Sequence, residues 1–204
     1  MNSKDRIQYH VSRETFERFE VFVELLDKWT SHVNLISQKS RTDIWKRHIW
    51  DSLQLIQHIK LKGHWVDIGT GGGFPGLILS IFARQVAPKT RFTFIEKDKR
   101  KAAFLRTVVR NLSLDSRIIS ARIEDTSPLK ANILSARALA ELEKLLFYAN
   151  RHLMSDGIAL FPKGNSWKRE VIAAKEHWKF DFQLILSETN ENSVILKIRG
   201  IQRV

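Results

Sequence analysis

The residues best suited to chemistry begin with a carboxylate and a cluster of glycines. Asp67 lies near the end of the apolar run His64-Trp65-Val66-Asp67-Ile68, and Gly69, Gly71, Gly72 and Gly73 all fall within the next five positions. Phe74-Pro75-Gly76 then leads into the apolar stretch Leu77-Ile78-Leu79-Ser80-Ile81. That order reads as strand, tight turn and helix. Glycine is needed where the backbone takes positive φ or must lie directly against a ligand. The first turn of the helix adds unpaired N–H groups and the positive end of its dipole, and Pro75 suits a helix start because its missing N–H costs nothing there. Glu96 follows Gly76 by 20 residues, at the tip of the strand Arg91-Phe-Thr-Phe-Ile95. An acid in that place can accept hydrogen bonds from both hydroxyls of a ribose. Two cations, Arg137 and Lys163, end later strands at 132–136 and 158–161. Open α/β sheets bind ligands at the carboxyl ends of their strands, so both are candidates to hold a substrate.

The register of the glycines admits two cradles. Gly71-x-Gly73-x-x-Gly76 satisfies the dinucleotide fingerprint, whose turn faces a pyrophosphate. Asp67-x-Gly69-x-Gly71-x-Gly73 satisfies the acid-x-Gly-x-Gly-x-Gly pattern found in Rossmann-like methyltransferases. In those enzymes the carboxylate stands near the cationic amino-acid end of S-adenosylmethionine, whereas a pyrophosphate would disfavour a carboxylate so close to its loop.

Beyond this pattern, the stretch Asp67-Ile-Gly-Thr-Gly-Gly-Gly-Phe-Pro-Gly76 resembles the small-subunit rRNA guanine-N7 methyltransferase family, also called glucose-inhibited division protein B. Three further segments match in order: Trp29-Thr-Ser-His-Val-Asn34-Leu, Arg47-His48-Ile-Trp-Asp51-Ser52, and the late Lys163-Gly164. The resemblance runs from about residue 16 to the C-terminus. It implies a class I methyltransferase with S-adenosylmethionine as cofactor and 16S rRNA or the small ribosomal subunit as partner. It places the cofactor on Asp67, Gly69, Thr70, Gly71, Gly73, Phe74 and Glu96, flanks the adenine with Ile123 and Glu124, and brings Arg137 alongside. Arg137, Lys163 and Arg122 become candidates to position RNA or the guanine, and His48 and Asp51 candidate catalytic groups. From the residues alone, Arg122 is as well placed to pair with Glu124 as to reach RNA. By the same reasoning Arg47 and Asp51, at i and i+4, are spaced to pair with each other.

Composition sets the outer limits. With 34 Lys and Arg against 22 acids, the 204-residue chain carries a formal charge of +12. A field of that sign concentrates polyanions. The basic residues are spread along the chain rather than gathered on one amphipathic helix, which favours nucleic acid over a membrane surface. There is no cysteine, hence no disulfide and no thiolate metal site. The N-terminus lacks a signal-like apolar core, and no run reaches the roughly 18 apolar residues needed to span a bilayer. These features imply a cytoplasmic protein, expected to be a monomer.

The elements that must position these residues follow from periodicity. Ser12 caps a helix to about residue 29, with Phe16, Phe19, Phe22, Val23, Leu26 and Trp29 on one face. A second helix is expected over 42–59, capped by Thr42 or Asp43. Residues 1–62 thus form a helical extension packed on a Rossmann-like domain over 63–204. Strands are expected at 64–68, 91–95, 117–121, 132–136 and 158–161, with helices at 75–84, 99–112, 139–153 and 167–179. A terminal antiparallel hairpin around Thr189-Asn-Glu-Asn192 completes a mostly parallel α/β sheet. The Ser-Ala-Arg-Ala after the fourth strand is not the Asn/Asp-Pro-Pro-Tyr/Phe of amine-methylating enzymes. Two rival readings stay open at this level, an NAD-dependent oxidoreductase and a non-catalytic RNA-binding or ribosome-assembly protein.

Overall fold

A computed structural model describes residues 2–204. One seven-stranded sheet runs β3-β2-β1-β4-β5-β7-β6, where β1 is His64–Ile68, β2 Arg91–Ile95, β3 Ser116–Ile119, β4 Ala131–Ser135, β5 Leu153–Lys163, β6 Trp178–Leu186 and β7 Val194–Arg203. The first five strands are parallel, and β7 runs antiparallel to both β5 and β6. The doubly wound sheet and terminal hairpin expected from the pattern are both present. β1 and β2 coincide with the expected residues. Strands covered on both faces are apolar without alternation, and Trp65, Val66, Asp67 and Ile68 are accordingly all buried.

Helix α1 (Ser3–His10), which periodicity did not reveal, precedes α2 (Arg13–Thr30). Ser12 caps α2 by accepting from the Thr15 N–H, and Phe16, Phe19, Phe22 and Leu26 form its buried stripe. Helix α5 (Gly76–Val86) buries Leu77, Ile78, Leu79 and Ile81 completely, because the sheet covers one side and the N-terminal helices the other. Phe22 meets Phe74 edge-on at 5.6 Å and Phe104 of α6 (Lys99–Asn111) at 6.3 Å. The N-terminal helices therefore share one core with the sheet.

The segment expected as one regular helix over 42–59 is a composite. Short α3 (Gln38–Arg41) is followed by a π-helix over Trp45–Trp50, one α-helical turn, α4 (Asp51–Leu53), and a 3₁₀ stretch over Gln54–His58. Ile44, which precedes the π-helix, already has helical dihedrals and makes no side-chain cap bond. Within the π turn, the Arg47 carbonyl accepts a hydrogen bond from distant Arg137 at 3.0 Å. π turns of this kind cluster at functional sites.

Helix α7 (Leu142–His152) starts three residues later than expected, since 137–141 form an irregular turn. Its first N–H, on Leu142, donates to Glu170 of α8 (Trp167–Ala174), a cap supplied from elsewhere in the chain. α8 is shorter than the expected 167–179, and β5, β6 and β7 are longer than expected, extending the sheet at the hairpin end. No helix among the described residues is long and apolar enough to cross a membrane.

Replacing Phe22 by Ala should lower the stability of the whole chain by about 3–5 kcal/mol, with tryptophan fluorescence and far-UV circular dichroism reporting one coincident transition. A separate early melting of the N-terminal helices would contradict the shared core.

Candidate active site

Asp67 is fully buried at the end of β1. One carboxylate oxygen accepts from the Gly76 N–H at 3.2 Å, and the other from the Ser135 hydroxyl at 2.5 Å, which in turn accepts from the Trp65 indole at 2.8 Å. The acid therefore ties together the start of α5 and the end of β4. Its side chain does not line the neighbouring cavity described next. Gly76 makes the arrangement possible, because a β-carbon there would lie 2.5 Å from that of Asp67. Burial pushes the Asp67 pKa up from 3.8 to about 6, against the pull of the Ser135 hydroxyl and the Gly76 N–H.

In front of this brace lies a cavity of about 360 Å³ at the carboxyl ends of the strands. Gly69, Gly71 and Glu96 line one side, Ile123 and Glu124 another, and Ala138, Leu139 and Ala140 a third. Five of the expected cofactor residues are thus brought together. Glu96 caps the glycine loop, accepting from the Gly71 N–H at 2.9 Å and from the Asp98 N–H at 2.8 Å. Gly71 has φ +55° and faces open space, since a β-carbon there would meet nothing nearer than the Gly69 carbonyl at 3.9 Å. The backbone is bare where a ligand must come close. Volume, glycine cradle and strand-tip acid fit an adenosine-sized group.

The other cofactor candidates stand apart from this cavity. Thr70 and Phe74 are buried behind the loop, and Gly73 packs on Leu77. Arg122 lines this cavity and pairs with Glu124 at 2.5 Å, the local partner its spacing suggested. The Tyr148 hydroxyl also donates to Glu124, at 3.3 Å. Tyr148, Lys101 and Lys144 line the cavity without having been singled out in the sequence.

On the other side of the β4 tip a second cavity of about 470 Å³ is lined by Arg47, His48, Asp51, Arg137 and Lys163 among others. Ala138, held at φ +51°, lines both cavities and stands between them. Arg137 donates to Asp51 at 2.9 Å, to the Arg47 carbonyl at 3.0 Å and to His48 Nδ1 at 2.6 Å. Its guanidinium also lies 5.0 Å over the Phe74 ring, on which His48 stacks at 4.5 Å. Asp51 thus pairs with Arg137, and not with Arg47 as its i, i+4 spacing suggested. Because a guanidinium only donates, the bond to Nδ1 leaves the His48 proton on Nε2. Burial, then the charges of Arg137 and Arg47, holds the His48 pKa down at about 3, so the ring is neutral in the physiological range.

Lys163 has a different setting from the one its strand-tip position suggested. Its nearly buried ammonium pairs with Glu170 at 2.5 Å and donates to the Ala140 carbonyl at 3.0 Å. Glu170 is the same acid that caps α7. The lysine therefore fixes the turn between β4 and α7, which forms a wall of the first cavity.

Fold and glycine-loop cavity together define a Rossmann-like methyltransferase. Among solved structures, a SAM dependent methyltransferase from Aquifex aeolicus is similar with a TM-score of 0.57 over 72% of this chain and 88% of that one; at 13% identity the likeness is one of fold. The family model described as rRNA small subunit methyltransferase G matches residues 15–195, and the chain belongs to that family. It is 48% identical over 195 residues to the ribosomal RNA small subunit methyltransferase G of Ruegeria pomeroyi, covering 96% of each chain. It is 46% identical over 203 residues to the protein of the same name from Ruegeria sp., covering 100% of this chain and 99% of that one. The resemblance carried by the four sequence motifs is borne out, and the oxidoreductase reading falls with it.

The raised pKa of Asp67 has a measurable sign. Its folded value exceeds its unfolded one, so the stabilising contribution is complete below about pH 4 and is lost as pH rises through about 6. The stability of the wild type minus that of Asp67→Asn should fall by roughly 3 kcal/mol between pH 4 and 7, as read by urea denaturation. A flat or rising difference would contradict the buried, weakly acidic carboxylate.

Proposed function

We propose that this protein transfers a methyl group from S-adenosylmethionine to N7 of a guanine in 16S rRNA, as a cytoplasmic monomer acting on RNA of the small ribosomal subunit. The observation that carries this reading is the pair of cavities meeting at Ala138. One is shaped for an adenosine, and the other is lined by Arg137 and its partners. When bound, the cofactor supplies an electrophilic methyl on a sulfonium. Gly71 lets the protein backbone come close to it, Glu96 accepts from the ribose hydroxyls, and Ile123 and Glu124 flank the adenine.

Guanine N7 bears an available lone pair and no proton, so methylation there needs no general base. The protein's task is to hold N7 in line with the methyl group, and positioning of this kind is worth roughly 7–11 kcal/mol at best. Arg137 anchors the target through O6 or a phosphate oxygen, as guanidinium groups commonly do. A full positive charge beside N7 would oppose the charge that develops on the ring. Two features lessen that conflict: Arg137 is paired with Asp51, and His48 is neutral. We assign His48 and Asp51 to holding Arg137, and Lys163 to shaping the cavity wall through Glu170. Exposed Arg47, together with the overall charge of +12, suits the surrounding phosphates.

Incubation with tritiated S-adenosylmethionine and either naked 16S rRNA or small subunits should label the RNA. Replacing Arg137 by Ala should lower turnover roughly 100-fold while leaving affinity for S-adenosylhomocysteine within about threefold. RNA binding without label transfer would favour the non-catalytic assembly protein, and equal losses of turnover and cofactor affinity would contradict the role given to Arg137.

A further inference from the structure

We propose that Thr189, in the turn between β6 and β7, is a positioning residue for methyl transfer. Its hydroxyl orients Asp51, and Asp51 orients the Arg137 guanidinium toward the target nucleotide. The proposal rests on the role assigned to Arg137 above.

The Thr189 hydroxyl donates to Asp51 Oδ1 at 2.5 Å, and the Gln54 amide donates to the same oxygen at 2.9 Å. The opposite oxygen, Oδ2, accepts from Arg137. With two donors on one side, the carboxylate has little freedom to rotate away from the guanidinium. Arginine carries about 2 kcal/mol of side-chain rotamer entropy, so a guanidinium at a strand tip needs such restraint to present one geometry.

The turn that supplies Thr189 is itself fixed. The Glu188 carboxylate accepts from Arg6 of α1 at 2.9 Å and from the Trp50 indole at 3.1 Å, and the Glu188 N–H donates to Gln54 at 2.9 Å. The hairpin closes through its own backbone bonds, Ser193 N–H to the Asn190 carbonyl and Ser187 N–H to the Ser193 carbonyl. The Thr189 hydroxyl also lies 3.0 Å from the Ser187 hydroxyl, which accepts from the Thr189 N–H at 3.2 Å, so these turn contacts add to the backbone bonds. The bond to Asp51 spans 138 positions of sequence and serves no element of local structure. What it does secure is a carboxylate that lines the cavity containing Arg137.

Thr189→Val removes the hydroxyl at nearly constant shape, and Thr189→Ser retains it. With 16S rRNA as substrate, the valine variant should lose roughly 5- to 30-fold in kcat, while its KM for RNA and its affinity for S-adenosylhomocysteine stay within about twofold of wild type. The serine variant should recover wild-type turnover. In a cycle with Asp51→Asn, the two losses should be strongly non-additive. In the RNA-free protein, Thr189→Val should also broaden the nitrogen resonances of the Arg137 guanidinium. Unchanged kcat in the valine variant, failure of serine to rescue, additive losses, or an unperturbed Arg137 resonance would each overturn the proposal. A wild-type protein that labels no RNA would instead sink the methyltransferase reading on which it depends.

Discussion

A carboxylate with no access to water sits at the centre of this protein, and the site depends on how it is satisfied. Removing an acid from solvent is costly unless donors replace the water. Asp67 receives two, the Gly76 N–H and the Ser135 hydroxyl, from two different elements. The end of β1, the start of α5 and the end of β4 are therefore held in one geometry. The glycine loop is stretched between the first two of these points, and Arg137 follows two residues after the third. Asp67 acts from behind the ligand cavity by fixing the frame on which cavity and guanidinium are mounted.

That frame explains why the N-terminal helices belong to the enzyme's working parts. They share the core of the sheet through Phe22, Phe74 and Phe104, and they deliver His48 and Asp51 to the tip of β4. The π-helix that carries His48 has its Arg47 carbonyl turned to Arg137, so a local irregularity and a long-range contact are two sides of one arrangement. Arg137 is thereby held by a carboxylate, a carbonyl and a neutral imidazole. This surrounds a cationic side chain with negative and neutral partners.

Features governed by neighbours in sequence were legible before the structure. The Ser12 cap, the limits of β1 and β2, the placing of Glu96 after the glycine loop, and the doubly wound order all follow from local pattern. Features decided by distant partners were not. The segment expected as one helix over 42–59 is a composite that meets Arg137 from 90 positions away, and Asp51 chooses that arginine over its helical neighbour Arg47. Lys163 occupies the expected strand tip, yet Glu170 claims its charge. Asp67 was identified as a key acid, but the sequence could not say which way its carboxylate faced, since Gly76 and Ser135 are brought to it only by the fold.

The most direct test is a crystal structure of the protein with S-adenosylhomocysteine, supported by calorimetry on Glu96→Ala. The ligand should lie along Gly69 and Gly71 with its ribose hydroxyls on Glu96 and its base beside Ile123, and the variant should bind at least about tenfold more weakly. Ligand density elsewhere in the chain, or unchanged affinity in the variant, would contradict the assignment of this cavity to the methyl donor.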